Sequence, residues 1–173
     1  MDLTSIRRRF LNDGLVFVRR ASVLAGVCRI SLVGSIVTSK PNPKDIDFLV
    51  VVADDADLAP LARIARQLQG GLQGLNRSAD VFLADERGCY IGRICSWREC
   101  RPGIRARCDA LHCGRRPHLH DDLQTVRLDP SIVARPPVTV WPALERHTQL
   151  PHDVEAFLAT VQSAGGGSNR SGA

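Results

Sequence analysis

Val33-Gly34-Ser35 is followed, after a nine-residue spacer, by Asp45-Ile46-Asp47-Phe48-Leu49-Val50-Val51-Val52. The second segment reads as a strand, apolar on both faces beyond its first residues, as a central strand requires. Asp45 and Asp47, two residues apart on a strand, point to one face and lie roughly 6.6 Å apart along the chain. That separation suits carboxylates that grip magnesium ions about 3.5–4 Å apart in two-metal phosphoryl transfer. A Gly-Ser turn at the end of the preceding strand presents backbone N–H groups to phosphate. Together they point to nucleotidyl transfer.

Working outward, the spacing predicts a helix over residues 3–24. Ile6, Phe10, Leu11, Leu15 and Val18 form its apolar side, and Arg7, Arg8, Arg9, Arg19 and Arg20 its polar side. Gly26 is expected to stop it, and residues 27–33 are expected to form a β-branched strand reaching Gly34. Lys40-Pro41-Asn42-Pro43 reads as a loop, because two prolines exclude regular pairing. Asp54, Asp55 and Asp57 offer N-caps for a helix over 58–69, which Gly70-Gly71 is expected to stop. A third strand is expected over 80–84. Strand, crossover helix and strand normally make a parallel unit, so Asp80 should share a sheet edge with Asp45 and Asp47.

Beyond Asp85 the pattern weakens. Strands are expected over 90–94 and 123–128, extended chain over 134–137 and a helix over 153–162. Residues 164–173 are rich in Gly and Ser and are expected to be disordered. The expected architecture is one α/β (α+β) domain over 1–163, with a mixed sheet and flanking helices. Its core would span about 1–88, a Cys/Arg-rich extension about 89–122, and a C-terminal strand and helix about 123–163.

Gly34-Ser35, the spacer, Asp45-x-Asp47 and the later Asp80 resemble the signature of minimal nucleotidyltransferases of the polymerase-β-like superfamily. The resemblance covers roughly residues 26–83. It implies a polymerase-β-like core and transfer of a nucleoside monophosphate from an NTP to a hydroxyl, with release of pyrophosphate. It places Gly34 and Ser35 on the nucleotide's phosphates and Asp45 and Asp47 on Mg²⁺. Asp80 would complete the metal site and help deprotonate the attacking hydroxyl. The acceptor could be a protein side chain, a tRNA end or a small molecule, and AMPylation of a partner in an antitoxin-like role also follows by resemblance. Family members often carry Arg soon after Gly-Ser and a Gly in the spacer. Here Ile36 follows Ser35, and the spacer has no Gly. Lys40 and Lys44 are the candidates for the missing positive charge at the nucleotide. The departures leave open a catalytically silent fold-mate that acts as a binding partner.

Five of the six cysteines fall between Cys89 and Cys113. Cys95, Cys100, Cys108 and Cys113 form two pairs at spacings that structural zinc uses, with His112, His118 and His120 nearby. The gap between the pairs is short for a zinc ribbon, so reduced thiols are the competing expectation, and Cys28 on the first strand is read that way. The segment 117–122 reads either as a second metal site or as a polar loop. The net charge is +5, from 21 Arg, Lys40 and Lys44 against 18 acids. The stretch from Glu86 to Arg116 alone holds eight Arg and three acids, which suits a nucleotide or nucleic acid. A zinc-dependent nucleic-acid-binding protein is therefore a second alternative. Trp97 and Trp141 could stack a base, but core packing is the expected role for each. The apolar stretch from Gly14 to Gly34 is broken by Arg19, Arg20 and Arg29, so no membrane span is expected. The N-terminus lacks a signal-peptide pattern, and a cytoplasmic location is expected.

Overall fold

The computed structural model describes residues 3–95, 116–120, 123, 126 and 128–165. They form a mixed α+β fold: a seven-stranded sheet with four helices. The strands are β1 (Val27–Val33), β2 (Asp45–Val52), β3 (Ser78–Ala84), β4 (Tyr90–Ile94), β5 (Leu119–His120), β6 (Val138–Trp141) and β7 (Glu145–Arg146). The helices are α1 (Leu3–Ala21), α2 (Leu58–Gln73), α3 (Pro130–Ala134) and α4 (His152–Gly165). The order across the sheet is β5-β4-β3-β2-β1-β6-β7. Only β2 and β3 run parallel, joined through α2, while the other neighbours are antiparallel. This is the arrangement that the strand–helix–strand reading predicts.

The sheet has two unlike faces, set by strand alternation. Ile46, Phe48, Val50 and Val52 of β2 enter the main core with Leu32 of β1 and Val81 and Leu83 of β3. Helices α1, α2 and α4 cover this face through Phe10, Phe17, Leu61, Leu68, Val154 and Leu158. The Phe17 and Phe48 rings lie 4.6 Å apart between centroids. On the opposite face Val33, Leu49, Val51 and Ala84 meet Val133 of the short helix α3 in a much smaller cluster. Asp45, Asp47 and Asp80 alternate onto this thinly covered face.

Several elements differ from the sequence reading. Helix α1 ends at Ala21, where Leu24 N–H donates to Ala21 O and turns the chain toward β1. Asp57 caps α2 by accepting from Ala59 N at 2.9 Å, but Gly70-Gly71 does not end the helix. It runs on to Gln73 because Leu72 extends the Leu61–Ala65–Leu68 stripe into the core and is fully buried. That burial outweighs the cost of about 1 kcal/mol per helical Gly. Leu123, Val126 and Leu128 lie outside any strand, and Ala134 closes α3 rather than starting an extended segment. Trp141 packs against the main core, and Trp97 lies outside the described residues, as do 166–173. Among the described residues no helix is long and apolar enough to cross a membrane.

Candidate carboxylate site

The site is built where β1 ends and β2 and β3 begin. Val33 pairs with Asp47, and Asp47 is the direct Cα partner of Asp80 across the parallel β2–β3 ladder. Asp45 lies one pleat earlier on the same face, opposite Ser78. The three aspartates singled out in the sequence therefore share one corner of one face. Gly34 follows Val33 at φ +74° and opens a 3-10 turn over Gly34–Val37. A Cβ on Gly34 would collide with Asp47 Oδ2, so the missing side chain leaves the space in which Asp47 rests against the turn.

The next residue, Ser35, has its hydroxyl shielded from solvent with no hydrogen-bond partner among the described residues. Ser35 O accepts from Thr38 N at 3.2 Å and from Thr38 Oγ1 at 2.8 Å, and Lys40 N–H donates to Thr38 Oγ1 at 3.2 Å. The spacer is held from outside by Arg7, which donates to Ile36 O and Lys40 O, both at 2.8 Å. The same guanidinium binds Asp153 through Nε at 2.6 Å and Nη2 at 3.1 Å. Arg7, read from the sequence as part of the helix's polar side, is thus buried and held by these partners. Lys40 and Lys44 are exposed.

Burial, then the charges of Asp45 and Asp80, push the Asp47 carboxyl up to about 8, against a weaker downward pull from a backbone hydrogen bond at Asp80. Arg93 of β4 approaches Asp80 with Nη1 3.5 Å from Oδ1. Arg93 escaped the sequence reading because the β3–β4 ladder shifts by one residue between Leu83 and Ala84: counted straight from the turn it would lie opposite Val81, and the shift places it opposite Phe82, on the carboxylate face. Among the described residues, Asp45, Asp47 and Asp80 gather at this corner with Arg93 against Asp80, so its chemistry favours an added positive charge. Oxygen donors, the cradle at Gly34 and the unpartnered Ser35 hydroxyl fit magnesium with a phosphate ligand. In this conformation no three His, Cys, Asp or Glu side chains among the described residues converge on one metal position.

The other candidates lie elsewhere. Cys95 is buried at the end of β4, and its carbonyl accepts from Arg66 Nε at 3.0 Å. Cys100, Cys108, Cys113 and His112 lie outside the described residues, and so does the zinc set expected of them. His118 Nδ1 sits 3.3 Å from Arg66 Nη2, and burial followed by that guanidinium lowers its pKa. Cys28 packs into the minor cluster, where burial raises its thiol pKa, in keeping with a structural thiol. A cleft of about 690 Å³ runs between α1 and α4 past Leu11, Leu15 and Phe157. It lies on the helical face, across the sheet from the aspartates, so its size does not mark the carboxylate chemistry.

Residues 3–125 match the model of a family of unknown function, DUF6932, and the chain belongs to that family. No curated protein and no solved structure matches the chain.

Proposed function

We propose that this member of the DUF6932 family is a Mg²⁺-dependent nucleotidyltransferase with a polymerase-β-like core. Its reaction would move a nucleoside monophosphate from an NTP to a hydroxyl of a protein, tRNA or small molecule. One observation carries the reading: Gly34 rests on Asp47, and Asp47 is in register with Asp80, so turn and carboxylates form one unit. Asp45 and Asp47 would hold the metal with Asp80 completing its site, and the Gly34-Ser35 turn with the Ser35 hydroxyl would hold the β- and γ-phosphates. Bound magnesium supplies charge that stabilises the triphosphate in the transition state and acidifies the acceptor hydroxyl. Asp80, beside Asp47, orients that hydroxyl and takes its proton. The acceptor oxygen forms a bond to the α-phosphorus, the bond from that phosphorus to the bridging oxygen breaks, and pyrophosphate leaves. Lys44, exposed next to Asp45, adds positive charge at the phosphate side.

A second reading is favoured by the Arg93–Asp80 contact and by the spacer that lacks Gly: a silent fold-mate whose third carboxylate is neutralised by arginine. Isothermal titration of ATP with Mg²⁺ separates the two. Metal-dependent binding that Asp45→Ala plus Asp47→Ala abolishes is the expected result for the enzyme. No binding, or binding indifferent to both substitutions, sinks it.

A further inference from the structure

Arg93 stands on β4 opposite Phe82, and its guanidinium reaches diagonally across the ladder to Asp80, two residues away on β3. The hairpin that carries it is well fastened. Asp85 Oδ1 accepts from Arg87 N at 3.1 Å and Cys89 N at 2.7 Å, and Asp85 N–H donates to Cys89 O at 3.0 Å. The Arg93 side chain is 19% exposed, so its charge acts through a medium less screening than bulk water. At 3.5 Å from Oδ1, Nη1 makes a charge contact looser than a bidentate fork. A guanidinium has five N–H donors in a planar fork that matches phosphate oxygens.

We infer that Arg93 is the resident counter-ion of the carboxylate corner and becomes a ligand of the triphosphate when a divalent cation takes its place at Asp80. The inference rests on the nucleotidyltransferase reading. It follows from geometry and charge: Asp80 borders Asp47, a divalent cation and a guanidinium compete for the same carboxylate, and phosphates entering with the metal offer the Arg93 guanidinium a further anion.

The two halves give opposite signs in one variant. Arg93→Gln removes a competitor for Asp80, so Mn²⁺ titrated without nucleotide should bind about three- to tenfold more tightly. The same variant loses a phosphate ligand, so ATP with Mg²⁺ should bind about tenfold more weakly. Arg93→Lys keeps the charge without the fork. It should leave Mn²⁺ binding near wild type and weaken ATP binding less than Arg93→Gln does. Calorimetry reads both affinities, and circular dichroism with a thermal melt confirms that each variant is folded. An Arg93→Gln protein with both affinities unchanged, or with both weakened together, overturns the inference. Wild-type protein that binds Mn²⁺ but no ATP overturns the nucleotidyltransferase reading and the phosphate half with it. The Mn²⁺ comparison then decides the counter-ion half alone.

Discussion

Gly34 and Asp47 act as one feature at the scale of single residues. Gly34→Ala meets two costs, a left-handed backbone at φ +74° and a collision with the Asp47 carboxylate. In wild-type background the substitution should cost about 2–3 kcal/mol, and in an Asp47→Ala background about 1 kcal/mol, the backbone part alone. Chemical denaturation of the four proteins in a double-mutant cycle measures the difference. Equal costs in both backgrounds would show that the carboxylate does not touch the turn. Asp47 also sets a pH dependence. Its folded carboxyl titrates at about 8, well above its unfolded value, so the folded protein retains a proton that the unfolded chain releases. Stability is therefore greatest below about pH 4, declines as pH rises toward 8, and levels off above it, as far as this group governs. In EDTA at about pH 8.5, Asp47→Asn should melt roughly 4 °C or more above wild type, because the amide carries no charge to bury. A variant that melts no higher than wild type at that pH contradicts the burial and repulsion assigned to this carboxyl.

At the scale of elements, Arg7 joins parts that are far apart in sequence. It ties α1 to the spacer through Ile36 O and Lys40 O, and to α4 through Asp153. Burial alone would raise the Asp153 pKa, but the hydrogen bond and charge of Arg7 outweigh it and hold the carboxyl below its usual range. Arg7→Ala should cost about 2–3 kcal/mol, since it strands Asp153 and leaves buried carbonyls unpaired. The Thr38 amide should lose hydrogen-exchange protection more than amides within β2 do, because the spacer loses its anchor. Uniform loss across the sheet would mean that Arg7 stabilises the fold without positioning the spacer. This brace marks where the sequence stopped being legible. β1 and β2 could be bounded because β-branched runs end at Gly, Pro and Asp. The parallel β2–β3 pair followed from the crossover helix, and with it the meeting of Asp47 and Asp80. Arg7 carries no local signal, because its partners at Ile36, Lys40 and Asp153 are set by tertiary packing alone. The Gly70-Gly71 pair misled because local propensity lost to the burial of Leu72. Arg93 could not be found by counting register from Asp85, because the shift between Leu83 and Ala84 moves its partner from Val81 to Phe82 and so turns it to the other face.

For the whole molecule, the family match ends at residue 125, but the core does not. β6 pairs with β1, the strand that delivers Gly34, and protects an edge that would otherwise be open. The Ser31 and Thr139 hydroxyls meet at 3.4 Å in that interface, both buried. Helix α4 places Val154, Phe157 and Leu158 in the main core and supplies Asp153 to Arg7. Each such side chain contributes about 1.5–3 kcal/mol of burial. Three of them together with the brace rival the 5–15 kcal/mol, roughly, that separates a folded domain from its unfolded chain. A fragment ending at residue 128 should therefore lack a cooperative thermal transition, although it contains every aspartate of the site and the whole matched region. Calorimetry and near-ultraviolet circular dichroism test this. A fragment that melts cooperatively within about 5 °C of the full chain would show that β1–β4 with α1 and α2 fold alone. The C-terminal residues would then be an accessory layer. The expected loss of cooperativity would instead make them part of the scaffold that holds the Gly34 turn against Asp47.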